Sequence, residues 1–351
     1  MKRQKLVILT FTAFLGVFAA SCSSSGSSSG ETSEVVAPVT TETAAEPVDV
    51  VLGLDWTWLA YHMAFVYAQD QGYYEEAGIN LEILEGQGSG TTVKLVATGE
   101  LDFGFADSSA MVSAVSEGAD IRNVSLIWQQ ANFGTVCDPK ANVRSPKDLE
   151  GKSVLLIPSE NVSAVWPVFL TKNGVDASKI TVRAADYSNK ITLMVSKKAD
   201  CMAGVIGQDI QFVLYERPEI TPSDIMKWAD FDTNAPGHGI VASNKFISEN
   251  KETVKGFVDA SIKGWKAICA DTQLGVDLYK AKFPDAPEGD LQFAIDNLPY
   301  ECSKTTLPGG GDAFGPTNEK LWQDLIDTQV TYGGMKNPPL ATAVFTNDFI
   351  G

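Results

Sequence analysis

The sequence predicts an α/β protein folded as two lobes with a cleft between them. Three observations carry that expectation. Short apolar runs alternate with amphipathic stretches from Val48 onward, the alternation passes through two successive rounds, and a late apolar run over 237–243 reads as a strand returning to the first lobe. Strand–helix alternation of this kind implies a mostly parallel sheet covered by helices.

The elements follow in order. The first round predicts strands over 48–54, 80–84, 101–105 and 123–130. Between them come helices over 61–77, closing at Gly78, over 91–97, ending at Gly99, and over 108–117, opened by Ser108 and stopped by Gly118. The second round opens with a short helix at Ser145-Pro146. Strands over 153–157, 180–184 and 201–205 then alternate with helices over 163–173 (with Pro167 near its start), 189–197 and 208–215, and 227–230 continues the pattern. After the returning strand the chain reads as helical over 252–270, 272–283, 289–297 and 318–332. Two lobes joined by a crossing and a return leave a cleft, where small ligands bind preferentially.

The N-terminal region points to export. Lys2, Arg3 and Lys5 precede an apolar run over 6–20, and Ala19-Ala20-Ser21 leads into Cys22. Basic start, short apolar core and small-residue end describe a secretory signal peptide over 1–21. The run is shorter than the roughly 20 residues that span a bilayer. Small residues before a cysteine resemble a bacterial lipobox, with Ala19 standing where Leu is usual. That resemblance implies that Cys22 carries a lipid anchor on the membrane's outer face. Residues 22–47 are rich in Ser, Gly, Thr, Glu and Ala, too poor in apolar surface to offset ordering entropy, and are expected to be a tether.

Charge excludes some partners. The chain carries a formal net charge of −17, and loss of Lys2, Arg3 and Lys5 with the signal peptide takes it to −20. Nucleic acid and anionic membrane both call for basic patches, so neither is expected as a direct partner. Gly86-Gln87-Gly88-Ser89-Gly90 looks like part of a dinucleotide fingerprint but lacks its third glycine. No Gly-x-Ser-x-Gly elbow occurs from Val48 onward. Neither metal nor cofactor is expected, and the reading is a binding protein rather than an enzyme.

Four blocks then carry a resemblance. Asp55-Trp56, His62, Gly72-Tyr73-Tyr74 and Gly78-Ile79 fill the positions of an Asp-Trp strand end, a helix and a Gly-Tyr-Phe-like turn. "GELDFGFADSSAMVSAVSEGADI", "HGIVASNKFISENKETVKGFVDASIKGWKAI" and the terminal "VFTNDFI" follow in order. Together they resemble the NMT1/THI5-like family of substrate-binding proteins, over nearly all of residues 48–351. The resemblance implies a type II periplasmic-binding-protein fold, with lobe one over 48–135 plus 234–351 and lobe two over 136–233, hinging near Gly134 and Asn234. It implies an extracytoplasmic, monomeric binding component of an ABC importer, delivering its solute to membrane permease subunits.

Family members take thiamine-pyrimidine precursors, and relatives take riboflavin, sulfonates, taurine or nitrate. Trp58-Leu59-Ala60-Tyr61 replaces the polar Pro-Asn-Thr-Asn of pyrimidine binders. The aromatic cluster favours a planar heteroaromatic solute, with a sulfonate, taurine or nitrate-type anion as the alternative. A pyrimidine-synthase activity is disfavoured because the Cys-rich cluster of such enzymes is absent. Cys137, Cys201, Cys269 and Cys302 allow three pairings. Cys137–Cys201 and Cys269–Cys302 are preferred because each lies within one lobe, with reduced buried cysteines as the alternative.

The candidate ligand residues sit at strand ends and helix starts, where unpaired N–H groups suit polar atoms. They are Gln87, Ser89, Ser108 and Ser109 on lobe one and Ser159 and Asn161 on lobe two, each of which a simple helix cap would also explain. Asp55, Trp56, Trp58 and Tyr61 cluster after the first strand, and His62 and His238 are the two histidines. Trp166, Tyr187 and Gln208 complete the set from lobe two.

Overall fold

A computed structural model describes residues 46–233, 235–305 and 314–351. The expected signal peptide, Cys22, the tether up to residue 45 and the hinge at Asn234 lie outside the described residues.

Ten strands form two five-stranded mixed sheets. The first contains β1 (Val48–Gly53), β2 (Ile79–Leu84), β3 (Phe103–Asp107), β4 (Ile121–Leu126) and β10 (His238–Ser243), in the order β2-β1-β3-β10-β4. The second contains β5 (Phe133–Cys137), β6 (Ser153–Leu156), β7 (Thr181–Ala184), β8 (Cys201–Val205) and β9 (Met226–Lys227), in the order β7-β6-β8-β5-β9. The chain therefore leaves the first sheet after β4 and returns with β10. The α/β class and the two-lobe periplasmic-binding-protein fold are those expected.

Helices fill the connections. On the first sheet they are α1 (Met63–Asp70), α2 (Tyr73–Glu76), α3 (Ser89–Thr98) and α4 (Ser108–Ser116). On the second they are α5 (Asn161–Lys172), α6 (Lys190–Val195) and α7 (Asp209–Glu216). After β10 come α8 (Asn244–Glu249), α9 (Lys251–Ala270), α10 (Thr272–Lys282), α11 (Glu288–Ser303) and α12 (Glu319–Tyr332).

Burial explains the strand patterns. β2 lies at a sheet edge and alternates, with Ile79 and Leu81 buried and Asn80 and Glu82 exposed. β3 and β8 are central and buried along their whole length, as expected where helices cover both faces. Phe257 on α9 stacks on Phe103 with ring centroids 3.9 Å apart, and Phe65, Phe105 and Trp265 complete that core. In the second lobe Phe169 stacks on Trp228 at 4.7 Å. Burying each phenylalanine contributes about 1.5–3 kcal/mol, so each lobe has a core of its own.

Several expectations are corrected. The helix expected over 61–77 is a 3-10 turn (Ala60–His62) followed by α1 and α2, broken where Gly72 takes a φ of +75°. Pro167 sits in the middle of α5, which begins at Asn161. The helix expected to end at 297 runs to Ser303 through Pro299; burial of Leu298 and Cys302 and the Cys302 disulfide hold the extra turn. Gly134 is no free crossing residue: it lies inside β5, paired with Gly204 and Lys227. The crossing therefore precedes Phe133.

Register places the cysteines. β5 and β8 run antiparallel with Cys137 opposite Cys201, and the two are disulfide-bonded. Cys269, at the end of α9, is bonded to Cys302 on α11. Among the described residues no helix is long and apolar enough to cross a membrane.

Candidate functional site

Asp55 follows the end of β1 and is buried. Its Oδ1 lies 2.8 Å from His62 Nε2, and its Oδ2 lies 3.1 Å from His238 Nε2. The Tyr61 hydroxyl donates to the same carboxylate at 3.1 Å. One carboxylate therefore gathers a tyrosine and both histidines of the chain. Local sequence brings Tyr61 and His62 within seven residues of it, whereas β10 pairing brings His238 from far along the chain.

His62 Nδ1 accepts the Leu59 N–H at 3.0 Å. That occupies the acceptor nitrogen and leaves Nε2 to carry the proton donated to Asp55. Burial lowers the His62 pKa against the opposing pull of Asp55, so the ring is a neutral donor near pH 7. Burial alone would raise Asp55, but the charge and hydrogen bond of His238, then the hydrogen bond of His62, hold it well below the usual carboxylate range. Burial, with the charge of Asp55, raises Tyr61 far above its ordinary value. Tyr61 thus stays a phenol, donating to Asp55 while accepting from Gln208 Nε2 at 3.0 Å. Gln208 belongs to the second lobe, so this chain of polar groups crosses between the two.

Asp107 ends β3 and caps α4, its Oδ1 accepting the N–H groups of Ser109 (2.8 Å) and Ala110 (3.4 Å). Its own N–H donates to Ser89 Oγ at 3.1 Å. Antiparallel pairing sets His238 opposite Asp107. Asp107 Oδ2 has no hydrogen-bond partner and stands 3.9 Å from His238 Nδ1; burial raises this carboxyl's pKa. Ser108 Oγ donates to the Gly237 carbonyl at 2.7 Å, tying α4 to the returning strand. Ser109 Oγ is buried without a partner.

The rims meet at the glycine-rich turn. Gly90 N–H donates to the Ser159 carbonyl at 3.0 Å, and Ser159 Oγ donates to the Gln87 carbonyl at 3.4 Å. Ser159 Oγ also lies 3.3 Å from the Tyr187 hydroxyl. Tyr187 meets the Trp56 ring edge-on, centroids 4.1 Å apart. Gly88 has a φ of +104°, and a Cβ there would fall 1.6 Å from the Tyr187 hydroxyl. The glycines that mimic a dinucleotide motif instead let the two lobes approach.

Sequence reasoning missed three residues. Trp128, just past β4, is buried with its ring 4.6 Å from that of His238 and 5.0 Å from that of Tyr61, and its Nε1 has no partner. Lys304 places its ammonium 4.4 Å from the Trp128 ring centroid and 2.6 Å from Glu301 Oε2. Glu301 is buried, which raises its pKa, and its Oε1 has no partner. Tyr61, Gly207, Asn297 and Glu301 line one small cavity at the seam. Trp128 closely follows a strand end, a position that could have flagged it. Glu301 lies on a late helix with no local motif.

Other expectations are corrected. Trp166 does not face the seam: it packs against Phe169 and Trp228 in the second lobe's core, because α5 turns that face inward. Trp58 is half-buried against the first lobe's core, beside Phe283 and beneath Lys282, and reaches the cluster only through a 6.0 Å edge contact with His62. Asn161 is buried, and its Oδ1 accepts the N–H of Val162.

Two α/β lobes meeting at a buried polar and aromatic seam define the class of two-lobed periplasmic binding proteins. Residues 59–273 match the NMT1/THI5-like family model, and the chain belongs to that family. It is 22% identical to a riboflavin-binding protein of Chloroflexus aurantiacus, over 99% of this chain and 98% of that protein. It is 21% identical to a formylaminopyrimidine-binding protein of Halalkalibacterium halodurans, over 99% of each. The alkanesulfonate-binding protein of Xanthomonas axonopodis pv. citri superposes with a TM-score of 0.63 at 15% identity, over 86% of this chain and all of that one.

Proposed function

We propose that this chain is an extracytoplasmic solute-binding protein that closes its lobes on a small planar heteroaromatic solute bearing N–H donors, such as a thiamine-pyrimidine precursor or a flavin. It then delivers that solute to the permease of an ABC importer, tethered to the membrane through a lipid on Cys22. It acts by binding, not by turnover.

One observation carries the solute class. The seam presents buried carboxylate oxygens without hydrogen-bond partners, Asp107 Oδ2 and Glu301 Oε1, beside the rings of Trp128 and Tyr61. Buried acceptors of this kind are costly unless a donor meets them, and aromatic walls favour a flat ring. Full-length similarity to riboflavin- and formylaminopyrimidine-binding proteins supports the same class. An anion would meet Asp55, Asp107 and Glu301, while Lys304 is already paired with Glu301. The four described cysteines are held in two disulfides, which disfavours chemistry needing a thiolate cluster.

The test is a thermal-shift and tryptophan-fluorescence titration with riboflavin, 4-amino-5-hydroxymethyl-2-methylpyrimidine, taurine and an alkanesulfonate. A binder at a hundredfold excess over its Kd stabilises the folded state by about 2.7 kcal/mol. A shift with a heteroaromatic and none with the anions is expected. The reverse pattern refutes the proposal, and conversion of a bound solute to product refutes the non-enzymatic role.

A further inference from the structure

The second lobe buries a charge cluster that the solute site does not use. Lys190 is 1% exposed, Glu160 4% and Asp209 3%. Lys190 Nζ donates to Glu160 Oε1 and Oε2 at 2.6 and 2.7 Å and also to Asp209 Oδ2. Asp209 uses its other oxygen to accept the N–H groups of Val205 (2.7 Å) and Ile210 (3.2 Å). Gly204 makes room for this carboxylate: a Cβ there would stand 2.4 Å from Asp209 Oδ2.

The three residues occupy corresponding places. Glu160 ends the loop between β6 and α5, and Lys190 and Asp209 are the first residues of α6 and α7, where the loops after β7 and β8 close. These are the carboxyl ends of three neighbouring parallel-sheet strands, where open α/β sheets bind ligands. Each loop also sends one neighbouring side chain to the other lobe. Ser159, next to Glu160, meets Gly90 and Gln87. Tyr187, three residues before Lys190, meets Trp56. Gln208, next to Asp209, donates to Tyr61.

A buried ion cluster gives little net stability over a well-packed apolar replacement, because desolvation offsets its attraction. Its geometry is what an apolar cluster lacks: one ammonium with directed bonds into two separate loops. We propose that Lys190 is a positioning residue, a hub that holds the three cleft loops of the second lobe in mutual register so that Ser159, Tyr187 and Gln208 reach the first lobe together. Burial raises Glu160, with the charge of Lys190 opposing and that of Asp209 adding to it; Glu160→Gln keeps the side-chain shape and one oxygen to accept from Lys190 Nζ.

The hub's existence rests on the loop geometry, and its effect on affinity rests on the solute-binding reading above, so the experiment has two arms. In the first, hydrogen exchange of the unliganded chain compares wild type with Lys190→Met and Glu160→Gln. Lys190→Met is expected to raise exchange at least tenfold in all three loops, 158–161, 186–190 and 206–209, with β5, β6 and β8 unchanged. Glu160→Gln is expected to change little. Exchange that rises only around 190, rises evenly through the lobe or does not rise overturns the proposal. Should Lys190→Met fail to fold, Lys190→Met/Glu160→Gln replaces it, since Asp209 then keeps its two backbone partners and faces no second carboxylate.

In the second arm the same variants are titrated with riboflavin and 4-amino-5-hydroxymethyl-2-methylpyrimidine. The lysine variants are expected to bind at least tenfold more weakly, with Glu160→Gln near wild type. Wild-type affinity in the lysine variants overturns the hub. If wild type binds neither probe, the solute reading fails and the exchange arm alone decides the hub.

Discussion

Gly88→Ala puts the meeting of the two lobes to its sharpest test. The new methyl stands 1.6 Å from the Tyr187 hydroxyl and 2.8 Å from the Ser159 carbonyl. Neither gap admits a carbon, so Tyr187 and the 159 loop must withdraw. Withdrawal removes the Gly90–Ser159 and Ser159–Gln87 hydrogen bonds and the Trp56–Tyr187 edge contact. At about 0.5–1.5 kcal/mol for each hydrogen bond and about the same for the aromatic pair, the closed state loses roughly 1.5–4.5 kcal/mol. Apparent affinity falls with the population of the competent state, so binding should weaken about 10- to 2,000-fold. The left-handed φ of +104° at Gly88 adds about 1–3 kcal/mol of strain whether the lobes are open or closed. Titration calorimetry with the solute identified by thermal shift measures the loss, and hydrogen exchange at Gly90 reports it without solute. Wild-type affinity with unchanged protection at Gly90 would show that the lobes do not close on each other at this turn.

Trp56→Ala removes the partner of Tyr187 and one wall of the seam; heteroaromatic affinity should fall about tenfold or more with the melting temperature nearly unchanged, as fluorescence titration would show. Burial depresses His62 below its usual value; an unfolded chain protonates this residue near pH 6.5 while the folded one does not. Stability therefore drops as pH falls from about 6.5 toward the lower folded value, and His62→Gln should flatten melting curves over pH 5–7, an effect absent if the ring is charged when folded. Cys269 and Cys302 close a loop with a separation of 33 residues, for which chain entropy gives about 3–4 kcal/mol. Cys269→Ser/Cys302→Ser should lose that stability in urea melts and raise hydrogen exchange along the end of α11, which carries Glu301. Unaltered exchange there would show that packing alone holds the helix.

Much of the frame is legible in order along the chain. Alternating runs announce the strands, and Gly78, Gly99 and Gly118, all at positive φ, mark where elements end. Asp55, Tyr61 and His62 lie close enough in sequence to be read as one group, and β1 with the turn after it does bring them together. Lengths were less legible, because packing and a disulfide carry α11 through Pro299 where local propensity would stop it.

The α/β class, the two rounds of alternation, the returning strand and the family are all legible in the linear order of residues. Local apolar period and turn chemistry act within a few residues, so a linear reading captures them. Which distant groups meet depends on how the strands and helices pack. Antiparallel register sets His238 against Asp107, α11 delivers Glu301 and Lys304 to Trp128, and three loops converge on Lys190. The same packing sends Trp166 inward, since which face of α5 is covered depends on the sheet beneath it. Those pairings arise from strand order and helix packing, across 19 residues for Lys190–Asp209 and 30 for Lys190–Glu160 and far more for the others, and no local pattern encodes them.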